Sequence, residues 1–168
     1  MKKIALVYSF NSTKSAKIAL KIADHFKKFE IVKLNAEDCK GDEFLLYDAF
    51  ILSVPTWFDG ELPNYWDELL PALERLDFSD KKVAIFGLGD QKNYPENFCD
   101  AVGILGDFFA SLGAKIVGYT PSDGYTFESS KALKVNVLAG LLLDQENQSK
   151  FSDERILNWT RQLEIEFN

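Results

Sequence analysis

The chain has 168 residues, 46% of them apolar and 27% charged, with 19 Lys and Arg against 26 Asp and Glu for a net charge of −7. That length suits one globular domain, expected over residues 1–168, and a chain of this size buries roughly two-thirds of its unfolded surface without staples. The apolar fraction excludes a disordered chain, the acidic balance argues against nucleic acid, and no stretch approaches the ~20 apolar residues of a membrane span.

The opening segment, Lys3 to Ser9, is a continuous apolar run and reads as a strand. Met1-Lys2-Lys3 before it imitates a secretory leader, but the run turns polar at Asn11 and lacks a cleavage site, so a cytoplasmic protein is expected. Residues 13–28 follow with Ala16, Ala19, Leu20, Ala23 and Phe26 at helical spacing. Further strands are predicted at 30–34, Ala49–Val54 and Val83–Leu88, with helices at 63–75, 97–112 and 152–166. Lys115–Tyr119 and Leu138–Leu143 read as two pieces of a last strand, separated by a polar excursion. Strands alternating with helices imply a parallel sheet covered on both faces. Cys39 and Cys99 form no CxxC pair and, with the lone His25, assemble no zinc site, so free thiols and no metal are expected. His25 reads as a surface residue, and Trp66, Phe108, Phe109 and Trp159 as packing within helices.

In such a sheet a ligand lies outside the carboxyl ends of the strands, and three segments there look built for one. Ser9-Phe10-Asn11-Ser12-Thr13-Lys14-Ser15 joins the first strand to the first helix. Its hydroxyls and the free N–H groups of a helix start suit a phosphate, although GxxxxGK[ST] is absent. Pro55-Thr56-Trp57-Phe58-Asp59-Gly60 places two aromatics in a turn, where Trp57 has no core to fill and would suit a flat ligand. Gly87-Leu88-Gly89-Asp90, running on to Tyr94 and Asn97, adds glycines that admit close approach and a second aromatic plate. Together they describe a mononucleotide with a large planar head group.

These motifs resemble the flavodoxin family, long-chain type, over essentially the whole length. The most specific parts are Pro55-Thr56-Trp57 with Gly60-Glu61-Leu62, Phe86-Gly87-x-Gly89-Asp90-Gln91-x-x-Tyr94 with Asn97-Phe98, Gly118-Tyr119 with Asp123-Gly124-Tyr125, Ser130-Lys131-Ala132-Leu133, and Leu143-Asp144 with Asn147-Gln148. The resemblance implies a flavodoxin-like, doubly wound five-stranded parallel sheet whose last strand is split by an insertion. It implies non-covalent FMN, with the phosphate in the Ser9–Ser15 loop and the ring between Trp57 and Tyr94. Backbone groups of Asp59, Gly60, Asp90, Asn97 and Cys99 would meet the ring edge, with Thr56 and Glu146 near the ribityl chain. The implied function is low-potential single-electron transfer without substrate turnover. The chain would be a monomer standing in for ferredoxin, with basic partners such as a ferredoxin/flavodoxin-NADP reductase and acceptors of the photosystem I or nitrogenase kind.

Where the family's phosphate loop reads Thr-x-Thr-Gly-x-Thr, this chain has Phe10 in place of a hydroxyl donor and Thr13 in place of glycine. One lost hydrogen bond to a charged phosphate is worth about 1.5–3 kcal/mol. In the family the carbonyl after the Trp, here that of Phe58, flips on one-electron reduction, and residue 59 then sits near positive φ, where Asp59 is tolerable and glycine ideal. Charge is also uneven: residues 57–107 alone carry −7, while 1–56 carry +2 and 108–168 carry −2. The run Asp59, Glu61, Asp67, Glu68, Asp90, Glu96 and Asp100 would oppose full reduction of the ring and steer basic partners. Three rival readings have less support. A phosphoacceptor receiver domain lacks its Asp at the third strand's end, a quinone reductase would find both ring faces covered, and a flavin-less binding module has only Phe10 and Thr13 in support.

Overall fold

The computed structural model describes residues 1–168. Strands β1 (Lys3–Tyr8), β2 (Glu30–Asn35), β3 (Ala49–Ser53) and β4 (Lys82–Leu88) pair in parallel in the order β2-β1-β3-β4. The fifth position is shared by β5 (Lys115–Val117) and β9 (Leu141–Leu143), both parallel to β4. β5 registers with Lys82–Ala84 and β9 with Phe86–Leu88, so the last strand is split as the sequence implies. Gly118, at φ 77°, turns the chain out after Val117, which ends β5 two residues short of the predicted Tyr119. Leu138, expected in the second piece, instead pairs with Thr120 and Leu133 in a small antiparallel sheet.

That sheet consists of β6 (Thr120–Pro121), β7 (Leu133–Lys134) and β8 (Val137–Leu138) in the order β6-β8-β7. Val135 and Asn136 close the β7–β8 hairpin with φ of 46° and 62°. A two-residue turn with positive φ at both positions matches the twist of the strands, but a β-branched side chain pays about 1–2 kcal/mol to adopt it. Val135 is 89% exposed and gains no packing in return. Val135→Asn is therefore expected to stabilise the apoprotein by about 1 kcal/mol, roughly 2–4 °C in the thermal midpoint. Calorimetry showing no gain would dismiss the strain.

Helices α1 (Lys14–His25), α2 (Asn64–Leu73), α3 (Asp100–Ser111) and α4 (Ser149–Glu166) cover the sheet, and a 3-10 helix at Gly41–Leu46, not expected from the sequence, leads into β3. Alternation along each strand sends side chains to two cores. Ala5, Val7, Phe50 and Leu52 meet α2, α3 and the 3-10 helix, whereas Ile4, Leu6, Ala49 and Ile51 meet α1 and α4. The first core is a cluster of aromatic rings, with Phe44 stacked on Phe50 at 5.1 Å and Phe78 edge-on to Phe109 at 5.2 Å. Trp66, Phe109 and Trp159 are buried as predicted, and the indole N–H groups donate to Ser53 O and Gly118 O. Cys39 and Cys99 are free thiols. No helix is long and apolar enough to cross a membrane.

At the lower edge of the sheet, Lys2 Nζ and Lys82 Nζ donate to carbonyls of Glu166, Phe167 and Asn168 at 2.6–2.8 Å, neutralising the negative end of α4. The opposite edge, where β1, β3 and β4 end, is left to the loops.

Candidate functional site

The loops after β1, β3, β4 and β9 enclose an open cleft of about 410 Å3. Of the residues singled out from the sequence, Lys14, Thr56, Trp57, Phe58, Leu88, Gly89, Asp90, Tyr94, Asn97, Cys99 and Glu146 line it. Ser9, Phe10, Asn11, Ser12, Thr13 and Ser15 form the loop beside Lys14, and Pro55, Asp59 and Gly60 shape the turn behind Trp57; none of these nine lines the cleft. Phe98 and Gln145 line it as well and were not anticipated.

Trp57 is 37% exposed and Tyr94 53%, an unusual cost for two large rings unless something covers them. The indole is held edge-to-face by Tyr65 at 6.0 Å and 88°. Burial, and after it the charge of Glu37, pushes the Tyr65 phenol up to about 12, so it stays neutral. Trp57 and Glu61 exchange two backbone hydrogen bonds of 2.8 Å, and the peptides of Phe58, Asp59 and Gly60 between them bond to nothing in the chain. Positive φ falls on Phe58 at 48° and Gly60 at 89°, and not on Asp59. In the turn as it stands the strain rests on Phe58, one residue before the position expected to carry it after a flip.

The third loop is built from within. Asp90 accepts from the N–H groups of Lys92 and Asn93 and from the Asn93 and Asn147 amides. Although partial burial opposes it, those donors hold the Asp90 carboxyl below the usual range. Fully buried Asp144 accepts from Gln91 N and from Asn147, tying this loop to the one after β9. Gly89 is required by space, since a Cβ there would lie 2.8 Å from Cys99 Sγ and from the Phe98 ring. Cys99 precedes α3 in the left-handed region at φ 51°, which starts that helix at Asp100 and not at 97. Burial pushes its thiol well above its ordinary range and so holds it in the neutral form.

The acidic face needs correction. Asp59, Glu61, Asp67, Glu68 and Glu96 are exposed, but Asp100 is 5% exposed and accepts Lys131 N at 2.8 Å, and Asp90 is committed to its own loop. Thr56, which lines the cleft, accepts Ala101 N at 3.1 Å and so caps the start of α3.

At the other end of the cleft, the N–H groups of Asn11, Thr13, Lys14 and Ser15 donate to no acceptor in the chain. Free amides at the positive end of α1 are a cradle for an anion. The hydroxyls are less available than the sequence suggests. Ser12 donates to Ser9 O and accepts Ala16 N, Ser9 donates to Glu37, and Phe10 lies half exposed against Tyr8 with centroids 4.8 Å apart. Only Thr13 and Ser15 keep unengaged hydroxyls, and Lys14 pairs with Glu146 across the mouth. Glu37 was not foreseen, yet its position just past β2 and the parallel register of Tyr8 with Asn35 put it beside the first loop. Its carboxylate accepts from Ser9 and, at 2.9 Å, from the Asn11 amide, and these two donors hold it below the usual carboxylate range.

Two aromatic plates, a wall of bare backbone at Gly89 and an unpaired amide cradle fit a planar ring joined to a dianion. The sequence profile of the flavodoxin family matches residues 6–159. A flavodoxin from a Nostoc species is 40% identical over 166 residues, covering 99% of this chain and 98% of that one. Flavodoxin 1 of Escherichia coli is 41% identical over 140 residues, 83% of this chain and 77% of that one. The crystal structure of a Fusobacterium nucleatum flavodoxin bound to flavin mononucleotide superposes with a TM-score of 0.94 at 32% identity, covering all of both chains.

Proposed function

We propose that this chain, which belongs to the flavodoxin family, holds FMN in the cleft between Trp57 and Tyr94 and carries electrons singly between protein partners. The observation that carries this reading is the pairing of two exposed aromatic plates, which line one cleft together with Lys14, with the unpaired amides of Lys14 and its loop neighbours at the start of α1. FMN supplies one-electron redox chemistry when bound. The residues of the chain bind and orient it. The amides of Asn11, Thr13, Lys14 and Ser15 would meet the phosphate, assisted by the helix dipole and the Thr13 and Ser15 hydroxyls. Phe10, seated on Tyr8, would contribute no hydrogen bond.

Trp57 and Tyr94 would exclude water from the ring faces, and the unbonded peptides of Phe58–Gly60 are free to present either an N–H or a carbonyl to the ring edge. Leu88, Gly89, Asp90, Asn97 and Cys99 would form the opposite wall, Thr56 and Glu146 would flank the ribityl chain, and Pro55, Asp59 and Gly60 would support the Trp57 turn. Stacking among carboxylates disfavours a second negative charge on the ring, which supports a low-potential carrier.

The exposed carboxylates Asp59, Glu61, Asp67, Glu68 and Glu96 follow the two ring loops and would steer basic redox proteins to the cleft edge. Candidates by that chemistry are a ferredoxin/flavodoxin-NADP reductase as donor and ferredoxin-dependent acceptors of the photosystem I or nitrogenase kind, met in the cytoplasm by a monomer. One preparation tests the whole reading. The purified protein is expected to be yellow, to release FMN on acid precipitation and to oxidise no NADPH until a reductase is added. The reduction rate should then fall several-fold between 10 and 300 mM salt as the fields are screened. A colourless protein that FMN cannot reconstitute would overturn the cofactor assignment, and a salt-independent rate would overturn the docking face.

A further inference from the structure

Ser9 is buried, with 3% of its surface exposed, and its hydroxyl has a single proton to give, which it gives to Glu37. The Asn11 amide donates to the other oxygen of the same carboxylate. Both donors belong to the loop that, on the reading above, receives the FMN phosphate. A carboxylate and a phosphate compete for the same N–H and O–H groups, and two anions sharing one set of donors repel each other. No positive charge offsets that of Glu37, because no Lys or Arg pairs with it and the one basic residue of the loop, Lys14, is engaged with Glu146.

We propose that Glu37 is an internal competitor for the phosphate site, a built-in anion that lowers affinity for FMN relative to riboflavin. The phosphate must either take Ser9 and Asn11 from the carboxylate or bind beside it against its charge. Either way the penalty falls on the dianion and spares the neutral ring, which stacks at Trp57 and Tyr94. Glu37 is thereby a specificity-determining residue that narrows the preference for the phosphorylated flavin. This assignment rests on the FMN reading and deepens it.

The test is titration of the apoprotein with FMN and, separately, with riboflavin, for the unaltered chain, Glu37→Gln and Glu74→Gln. Glu37→Gln keeps the shape and a hydrogen-bond acceptor while removing the charge. Glu74, exposed at the far end of α2, controls for net charge. Glu37→Gln is expected to lower the FMN dissociation constant at least about fivefold, the scale of one pair of unit charges about 4 Å apart at the dielectric of water. Riboflavin should change less than twofold, and Glu74→Gln should leave both unchanged. An FMN constant that does not move, or one that falls in step with riboflavin, would overturn the competitor role alone. If the unaltered chain bound neither flavin, the cleft assignment would fall first, and this inference with it.

Discussion

Trp57→Ala is expected to raise the FMN dissociation constant by roughly 5- to 150-fold, since stacking of a flat ring on an aromatic side chain is worth about 1–3 kcal/mol. The effect belongs toward the upper end of that range because the indole is already oriented. Tyr65 meets it edge-on at 6.0 Å, and the Trp57–Glu61 backbone pair fixes the turn beneath it, so little side-chain freedom remains to be lost on binding. Tyr94→Ala should cost less. Its ring is 53% exposed, and no other aromatic ring packs against it. The measurement is quenching of flavin fluorescence on titration with apoprotein. A change below twofold for Trp57→Ala would remove the indole from the binding site. Circular dichroism of the apoprotein should be unaltered, as an exposed loop side chain contributes little to folding.

Asp144→Ala is expected to act on stability and on the site together. The carboxylate is fully buried and accepts from Gln91 N and from both the backbone and side-chain N–H groups of Asn147. Removing it strands several buried donors, and hydrogen bonds to a charged acceptor contribute about 1.5–3 kcal/mol each, so a loss of about 2–5 kcal/mol is expected. Asn147 also donates to Asp90, whose carboxylate folds the loop that carries Tyr94. FMN binding should therefore weaken in the same variant, although Asp144 does not line the cleft. Asp144→Asn, which keeps one acceptor oxygen, should lose less of both. Urea denaturation of the apoprotein decides the matter, and a loss under 1 kcal/mol would show that the network relaxes around the gap.

Much of this architecture was legible in local patterns. The apolar runs at Lys3, Ala49 and Val83 read as strands buried on both faces, and they are. Two loops were marked by Trp57 and Tyr94, large rings flanked by turn residues where no core could receive them. The Val135-Asn136 hairpin was illegible for a local reason, since valine is disfavoured in the left-handed backbone it adopts. The 3-10 helix at Gly41–Leu46 is too short to show a period. Helix α3 begins three residues late because Cys99, left-handed, breaks the chain's approach to it, and nothing in the residue type announces that.

The charge of the middle segment shows where local reading stops. Its sum of −7 follows from composition, but a sum does not say which carboxylates face water. Asp100 turned inward to accept Lys131 N, 31 residues along the chain, and Asp90 spent its oxygens on its own loop and on Asn147. Glu37 reached Ser9 across 28 residues only because β1 and β2 lie side by side in parallel. Hydrophobic periodicity, turn chemistry and the placement of aromatics are properties of neighbouring residues, so the sequence by itself determined the alternating fold, the three loops and the flat-ligand reading. Which donors remain free in the phosphate loop, and which charges remain on the surface, depend on side chains brought together by strand pairing. Those the tertiary structure alone decided.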